Sequence, residues 1–231
     1  MVRRILCIAL ILIPVLITGA CIDGNQTEQN TRQEGEIMLP EPRTTGEISI
    51  EEAMLHRRSV RRYTKEAITL NDLSQLLWAA QGITSEEGFR TAPSAGALYP
   101  LEVYVVAGNV DGLAGGVYRY RVEGHTLQRI RDGDLRGNLS ECALKQTQIT
   151  DASVDIVFAA VFERSTAKYG ERGVRYAYIE AGHAAQNVYL QAESLGLGVC
   201  AVGAFYEPEV SELLALSRDE TPIYILTVGK V

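Results

Sequence analysis

A chain of 231 residues, 46% hydrophobic and 22% charged, can bury one sizeable core, which sets it apart from disordered and fibrous chains. Its formal net charge of −7 excludes the basic footprint of a general nucleic-acid binder. The three histidines, His56, His125 and His183, stand far apart and outside any HExxH or CxxC pattern, so no metal site is expected.

The chain opens with "MVRR", then the apolar run "ILCIALILIPVLI", then "TGAC". A run this short, interrupted by Pro14, makes a poor spanning helix and a good export signal. Thr18-Gly19-Ala20-Cys21 resembles a lipobox, in which Cys21 is lipidated and becomes the mature N-terminus; a transmembrane anchor or a cleaved secretory signal is the rival reading. "DGNQTEQNTRQEGE", residues 23–36, has too little apolar surface to fold and reads as a tether. The expected organisation is a lipoprotein signal peptide over 1–20, a flexible tether over 21–46 and a folded domain over 47–231. Such a protein is exported and anchored to the outer face of the cell membrane. Only Cys142 and Cys200 remain in the domain, and two isolated thiols read as small buried hydrophobes.

Ser49-Ile50-Glu51-Glu52 has capping-box spacing and predicts a short helix to about Arg58. Thr69 is a second N-cap, for a helix that stops at Gly82. A strand over Leu101–Ala107 follows, then a hairpin in which "VYRYRV" and "TLQRI" flank "EGH". "LRGNLSECALKQ" predicts a modest helix. "VDIVFAAVF", almost continuously apolar, predicts a central strand. Residues 174–195 carry the longest helical pattern, with Ala181, Ala184, Ala185, Val188, Ala192 and Leu195 on one stripe. That stripe suits either core packing within one subunit or a helix shared across a dimer. "VCAVGAF" predicts a strand, Pro208 the first turn of a helix to about Ser217, and "IYILTV" a last strand. Helices mixed with strands and a hairpin indicate an α+β fold.

Three stretches could carry chemistry. In "HRRSVRRYTK", residues 56–65, Arg57, Arg58, Arg61 and Arg62 crowd together in an acidic chain. Cations at a helix end can simply be solvated, or their guanidinium forks can grip phosphate beside the Ser59 hydroxyl. "PSAGALYP", residues 93–100, reads as a tight turn or as a place where a ligand approaches the backbone. "LGLGVCAVGAF", residues 195–205, departs from the GxGxxG spacing of dinucleotide sites. A helix stop explains Gly196 and leaves Gly203 without a reason.

Taken together, "RRSVRRY", "PSAGALYPLEVYVV", "IEAGHAAQNVYLQAESLGLGVCAVGAF" and "PIYILTVGK" resemble, in order and spacing, the FMN-dependent nitroreductases, most nearly the SagB/ThcOx-type branch. The resemblance covers about residues 37–231; "MLPEP" and "SIEEAMLHRRS" fit that branch as well. It implies a central mixed or antiparallel sheet flanked by helices, with FMN at the interface of a homodimer and the alanine-rich helix as part of that interface. It also implies that Arg57, Arg58, Ser59 and Arg61 hold the phosphate. Pro93, Ser94, Ala95 and Gly96 would run along the flavin from the partner subunit, and Val202 and Gly203, at a strand start, would line its other side. Two departures stand out. Ala97 occupies a position where the wider family often has Asn, and only Lys230 is placed to supply the basic residue that relatives bring to the phosphate after their last strand.

The implied activity is an FMN oxidoreductase passing electrons from a donor such as NAD(P)H to a small acceptor such as a quinone or nitroaromatic. No protein residue is assigned as catalytic acid, base or nucleophile, because the flavin carries the chemistry. The alternatives are a SagB-type dehydrogenase oxidising azoline rings in a peptide, and a flavin-binding protein without turnover.

Overall fold

The computed structural model describes residues 35–231; the expected signal peptide, Cys21 and the polar stretch to residue 34 lie outside the described residues. In chain order the elements are β1 (Glu36–Met38), α1 (Ile50–His56), β2 (Ile68–Thr69), α2 (Leu70–Gln81) and a 3-10 turn over Ala95–Ala97. Then come β3 (Leu101–Ala107), β4 (Val110–Asp111), β5 (Gly116–Arg121), β6 (Thr126–Asp132), α3 (Arg136–Cys142) and α4 (Thr147–Asp151). The last six are β7 (Val154–Ala160), α5 (Phe162–Tyr169), α6 (Arg172–Ser194), β8 (Leu197–Val202), α7 (Glu207–Leu214) and β9 (Thr221–Lys230).

Seven strands form one sheet in the order β1-β6-β5-β3-β7-β9-β8, antiparallel at every junction. β7 lies between β3 and β9 with all seven residues buried, as its continuous apolar run requires. Its one polar member, Asp155, is fully enclosed and neither carboxyl oxygen has a partner. Burial raises its pKa well above the ordinary aspartate value, against the opposing pull of Arg136.

Alternation along β3 builds two cores. Val103, Val105 and Ala107 face α2 and α6, where they meet Leu73, Leu76, Leu77, Ala184 and Val188. Tyr104 and Val106 face the other layer, with Leu139 of α3 and Val210 and Leu214 of α7. Leu73, Leu76 and Leu77 have no exposed surface, and each buried side chain contributes on the order of 2 kcal/mol. Both expected N-caps are present as full capping boxes, Ser49 with Glu52 and Thr69 with Asp72.

Four differences from the sequence reading follow. The alanine stripe of α6 packs inward, with Ala181, Ala184, Ala185, Val188 and Ala192 all in the first core. The face left open carries Tyr178, Ile179, Gly182 and His183. α5 occupies the apolar tail assigned to the central strand, because β7 ends at Ala160 and Val161 turns the chain. α7 ends at Leu214, where Ala215 adopts a left-handed conformation.

The fourth concerns the tether, which does not extend to residue 46. Glu36–Met38 adds an edge strand to β6, with Ile37 opposite Leu127. Behind it Leu39 is buried, and Pro40 is clasped by hydrogen bonds from Ser74 Oγ and from His125 Nε2 at 3.1 Å. Tyr120 Oη lies 2.8 Å from His125 Nδ1 and completes the clasp. Burial lowers the histidine pKa and keeps the ring neutral.

Candidate functional site

α1 ends by placing Arg57 at its C-cap, and the chain continues extended alongside β8. Ser59 bridges Val199 in parallel, and the Val60 amide donates to the Val199 carbonyl at 2.8 Å. Farther on, the Thr64 amide donates to the Lys230 carbonyl at 2.9 Å. Tyr189 of α6 ties the arrangement together. Its hydroxyl accepts the Ala201 amide at 2.8 Å and lies 3.4 Å from Ser59 Oγ, while its ring lies 5.4 Å from the Arg57 guanidinium carbon.

Arg58 donates to the carbonyls of Leu55 and Arg57 at 3.0 and 2.8 Å, closing the end of α1. Among the described residues no carboxylate pairs with Arg57, Arg58, Arg61 or Arg62, as is also true of the scattered Arg43, Arg121, Arg131, Arg172, Arg175 and Arg218, whereas Arg90, Arg119, Arg129, Arg136 and Arg164 have acidic partners. A cationic cluster left without counter-charge in a chain of net charge −7 suits a phosphate, which supplies several anionic oxygens at once. Cys200 lies nearby, and burial raises its thiol pKa while Arg61 draws it down. Cys142 is likewise raised by burial, so neither thiol is an activated nucleophile.

Val202 and Gly203 are at the end of β8, not at a strand start as expected. The Val202 side chain is buried in the second core, so only backbone there faces outward, and Gly203 is exposed. Three residues separate Val202 from the Ser59–Val199 bridge, about 10 Å along the strand. Lys230 pairs with Leu197 at the opposite end of β8, so it belongs with Thr64 and not with Gly203.

Pro93–Gly96 is a separate arrangement. Gly96 has φ +66°, and Ala97 and Tyr99 are left-handed too, at +53° and +44°. For the two residues with a Cβ this costs about 1–2 kcal/mol each, which surrounding structure must sustain. At Gly96 a Cβ would come within 2.5 Å of Tyr169 Oη and 3.0 Å of Lys168 Nζ, both from α5. A Cβ there would have to push both side-chain ends aside, and the left-handed φ itself favours glycine, while an amine and a phenol sit over the turn. Ser94 Oγ accepts the Tyr99 amide at 2.9 Å.

Beneath the turn lies a cavity of about 290 Å³, bounded by Pro93, Ser94 and Ala95 on one side and Ile179, Glu180 and His183 of α6 on the other. Glu180 is 2% exposed and its Oε1 has no hydrogen-bond partner. Burial raises its pKa to about 7, against the opposite pull of Ser94, Arg90 and Gln81. A larger cleft of about 420 Å³ between residues 43–53, α2 and α6 contains none of the candidate residues.

The two arrangements meet different sides of one helix. Glu180 and Tyr189 are nine positions apart in α6, two and a half turns, which sets them about 13 Å apart along the axis and on opposite faces. Sequence reasoning missed Glu180, Tyr189, Lys168 and Tyr169. The usable signal was Glu180 itself, three residues after Ala177 and four before Ala184, on the stripe that is buried.

Residues 54–230 match the nitroreductase family. A protein of Methanocaldococcus jannaschii, provisionally named a nitroreductase, is 48% identical over 84% of this chain and 96% of its own. The crystal structure of a Ralstonia eutropha protein carrying the same provisional name superposes with a TM-score of 0.76 at 33% identity, covering 86% of this chain and 90% of that one. The microcin B17-processing protein of Escherichia coli is 26% identical over 62% of this chain and 54% of its own length.

Proposed function

The chain belongs to the nitroreductase family and is an oxidoreductase; on that premise we propose that it is an FMN enzyme whose site is completed between two copies of the chain. The observation that carries this reading is the separation of the two arrangements on opposite faces of α6. One copy would supply Arg57, Arg58, Ser59 and Arg61 to the phosphate and the backbone at Val202–Gly203 to one side of the ring. The partner would supply Pro93–Gly96 to the other side. The 10 Å between the Ser59 bridge and the end of β8 is a distance that a ribityl phosphate arm can bridge.

When bound, the flavin supplies the two-electron carrier, and the chain supplies binding, orientation and exclusion of water. The unpaired guanidiniums fix the phosphate. The strained turn, small at Ala95 and Gly96, adds little side-chain bulk of its own where a flat ring would lie. Lys168 and Tyr169 stand above that turn with exchangeable protons. We take NADH or NADPH as donor and a quinone or nitroaromatic as acceptor, each using the same open face in turn.

The test is the absorbance spectrum of purified protein before and after anaerobic NADPH. A bound flavin that bleaches and recovers with a quinone supports the reading. A flavin that never responds to any donor leaves only the binding module. A second reading, oxidation of azoline rings in a peptide, draws support from the similarity to the microcin-processing protein. In that case an azoline peptide would bleach the flavin without any nicotinamide. The proposal also includes lipidation at Cys21 and anchorage at the outer face of the membrane. A Cys21→Ser chain should then leave the membrane fraction or persist as precursor, and a wild-type chain that is soluble with residues 1–20 attached would refute the anchor.

A further inference from the structure

We infer that Glu180 is a positioning residue for the flavin: acting through Ser94, it holds the Pro93–Gly96 turn in place behind the ring, and its charge is coupled to flavin reduction. This rests on the reading that FMN lies against that turn. Glu180 is an acid almost wholly withdrawn from water, on the wall of a cavity whose opposite wall is Pro93–Ala95. Its Oε1 has no hydrogen-bond partner, which is costly for a buried carboxyl unless the arrangement serves a purpose. Ser94 is the link. Its oxygen already accepts the Tyr99 amide, which leaves its own proton free on a cavity wall that Glu180 shares. The chain is thus Glu180 to Ser94 to Tyr99, ending in the left-handed stretch at Gly96, Ala97 and Tyr99.

The coupling follows from charge. Two-electron reduction adds negative charge to the ring, and a carboxylate behind the ring opposes it while a neutral carboxyl does not. Because burial sets the carboxyl to titrate near pH 7, reduction should draw a proton to Glu180 in the neutral range. Among the described residues, the other titratable and charged groups around it are Arg90 from the segment before Ala92, Tyr176 and His183 on α6, and Lys168 and Tyr169 over Gly96. His183 lines the same cavity and needs its own control.

The experiment measures the FMN midpoint potential and the FMN dissociation constant from pH 5.5 to 8.5. The proteins compared are wild type, Glu180→Gln, Ser94→Ala and His183→Asn. The expected result is that Glu180→Gln matches wild type at pH 5.5 and shifts upward in potential as pH rises through 7, while His183→Asn keeps the wild-type profile. Ser94→Ala should bind FMN roughly tenfold more weakly, the loss of about one hydrogen bond to a charged or buried group, and it serves if Glu180→Gln does not fold. A constant gap, or none, between wild type and Glu180→Gln across the range overturns the inference alone. Unchanged FMN affinity in Ser94→Ala removes the proposed link. Wild-type protein that takes up no FMN overturns the functional reading and this inference with it.

Discussion

The arginine segment and the small-residue turn are built on opposite principles. The Arg57–Arg61 stretch is charged, exposed at Arg58, Ser59 and Arg61, and held by backbone pairing to the edge of β8, with no carboxylate on its arginines among the described residues. Pro93–Gly96 contributes almost no side chain, and its shape is imposed from below by Glu180 and from above by Tyr169 and Lys168. A phosphate needs charge that can reach it, whereas a flat ring needs a segment with little side-chain bulk of its own. The first requirement is written in the residues that meet the ligand. The second is written in residues that do not.

The sharpest way to break the comparison is to disable each arrangement in a different chain. Arg57→Ala/Arg58→Ala removes the cations, and Gly96→Val fills the turn with atoms that collide with Tyr169. Each variant alone should bind no FMN at micromolar concentrations, while mixed dimers should regain up to one intact site in two. Flavin fluorescence quenching on co-refolding measures it, and no recovery would show that both arrangements serve a site within one chain.

Next in size is the arginine pair alone. Two charge-assisted hydrogen bonds to phosphate are worth about 1.5–3 kcal/mol each, so Arg57→Ala/Arg58→Ala should weaken FMN binding at least a hundredfold. Arg58→Ala should also loosen the end of α1, whose carbonyls it caps. Equal FMN affinity in the double variant would mean that the cluster is only solvated.

Glu180 gives a smaller effect, seen without any ligand. Its folded pKa, about 7, lies above its ordinary value of 4.5, so the neutral carboxyl favours the fold fully below pH 4.5 and that contribution is lost as pH rises through 7. The span corresponds to about 3 kcal/mol. Unfolding free energies from urea titration should fall in wild type between pH 4.5 and 8 and fall less in Glu180→Gln by roughly that amount. Asp155 contributes in the same direction to both proteins and cancels in the difference. Parallel curves would place Glu180 in contact with water.

The smallest expected effect is none: Cys142→Ser should leave turnover and FMN content unchanged, since burial keeps that thiol protonated. Loss of activity with flavin retained would make the thiol a participant.

The same contrast governs what could be read in advance. Both capping boxes, the hairpin, the buried β7 and the arginine cluster are local patterns, and each was legible. α5 was not, because the apolar run of β7 continues into Phe162 and no side chain caps its start. β1 was missed because a three-residue edge strand in a polar stretch is held by its partner and not by its own composition. Tyr189, Lys168 and Tyr169 matter through neighbours 72 to 130 positions distant, and no periodicity reports such contacts. Val202–Gly203 was placed at the wrong end of its strand because glycines at both ends looked alike.

β8 is the last strand of the sheet, and an open strand at that position invites another chain to add to it. Here the Ser59–Val60 stretch lies along it and occupies its free hydrogen-bonding groups at Val199. The residues proposed to grip the cofactor therefore also guard against clumping. Protein stripped of flavin, or loosened in this stretch by mutation, should lose colloidal stability before it loses its fold, growing turbid through edge-to-edge strand pairing while its helices remain intact.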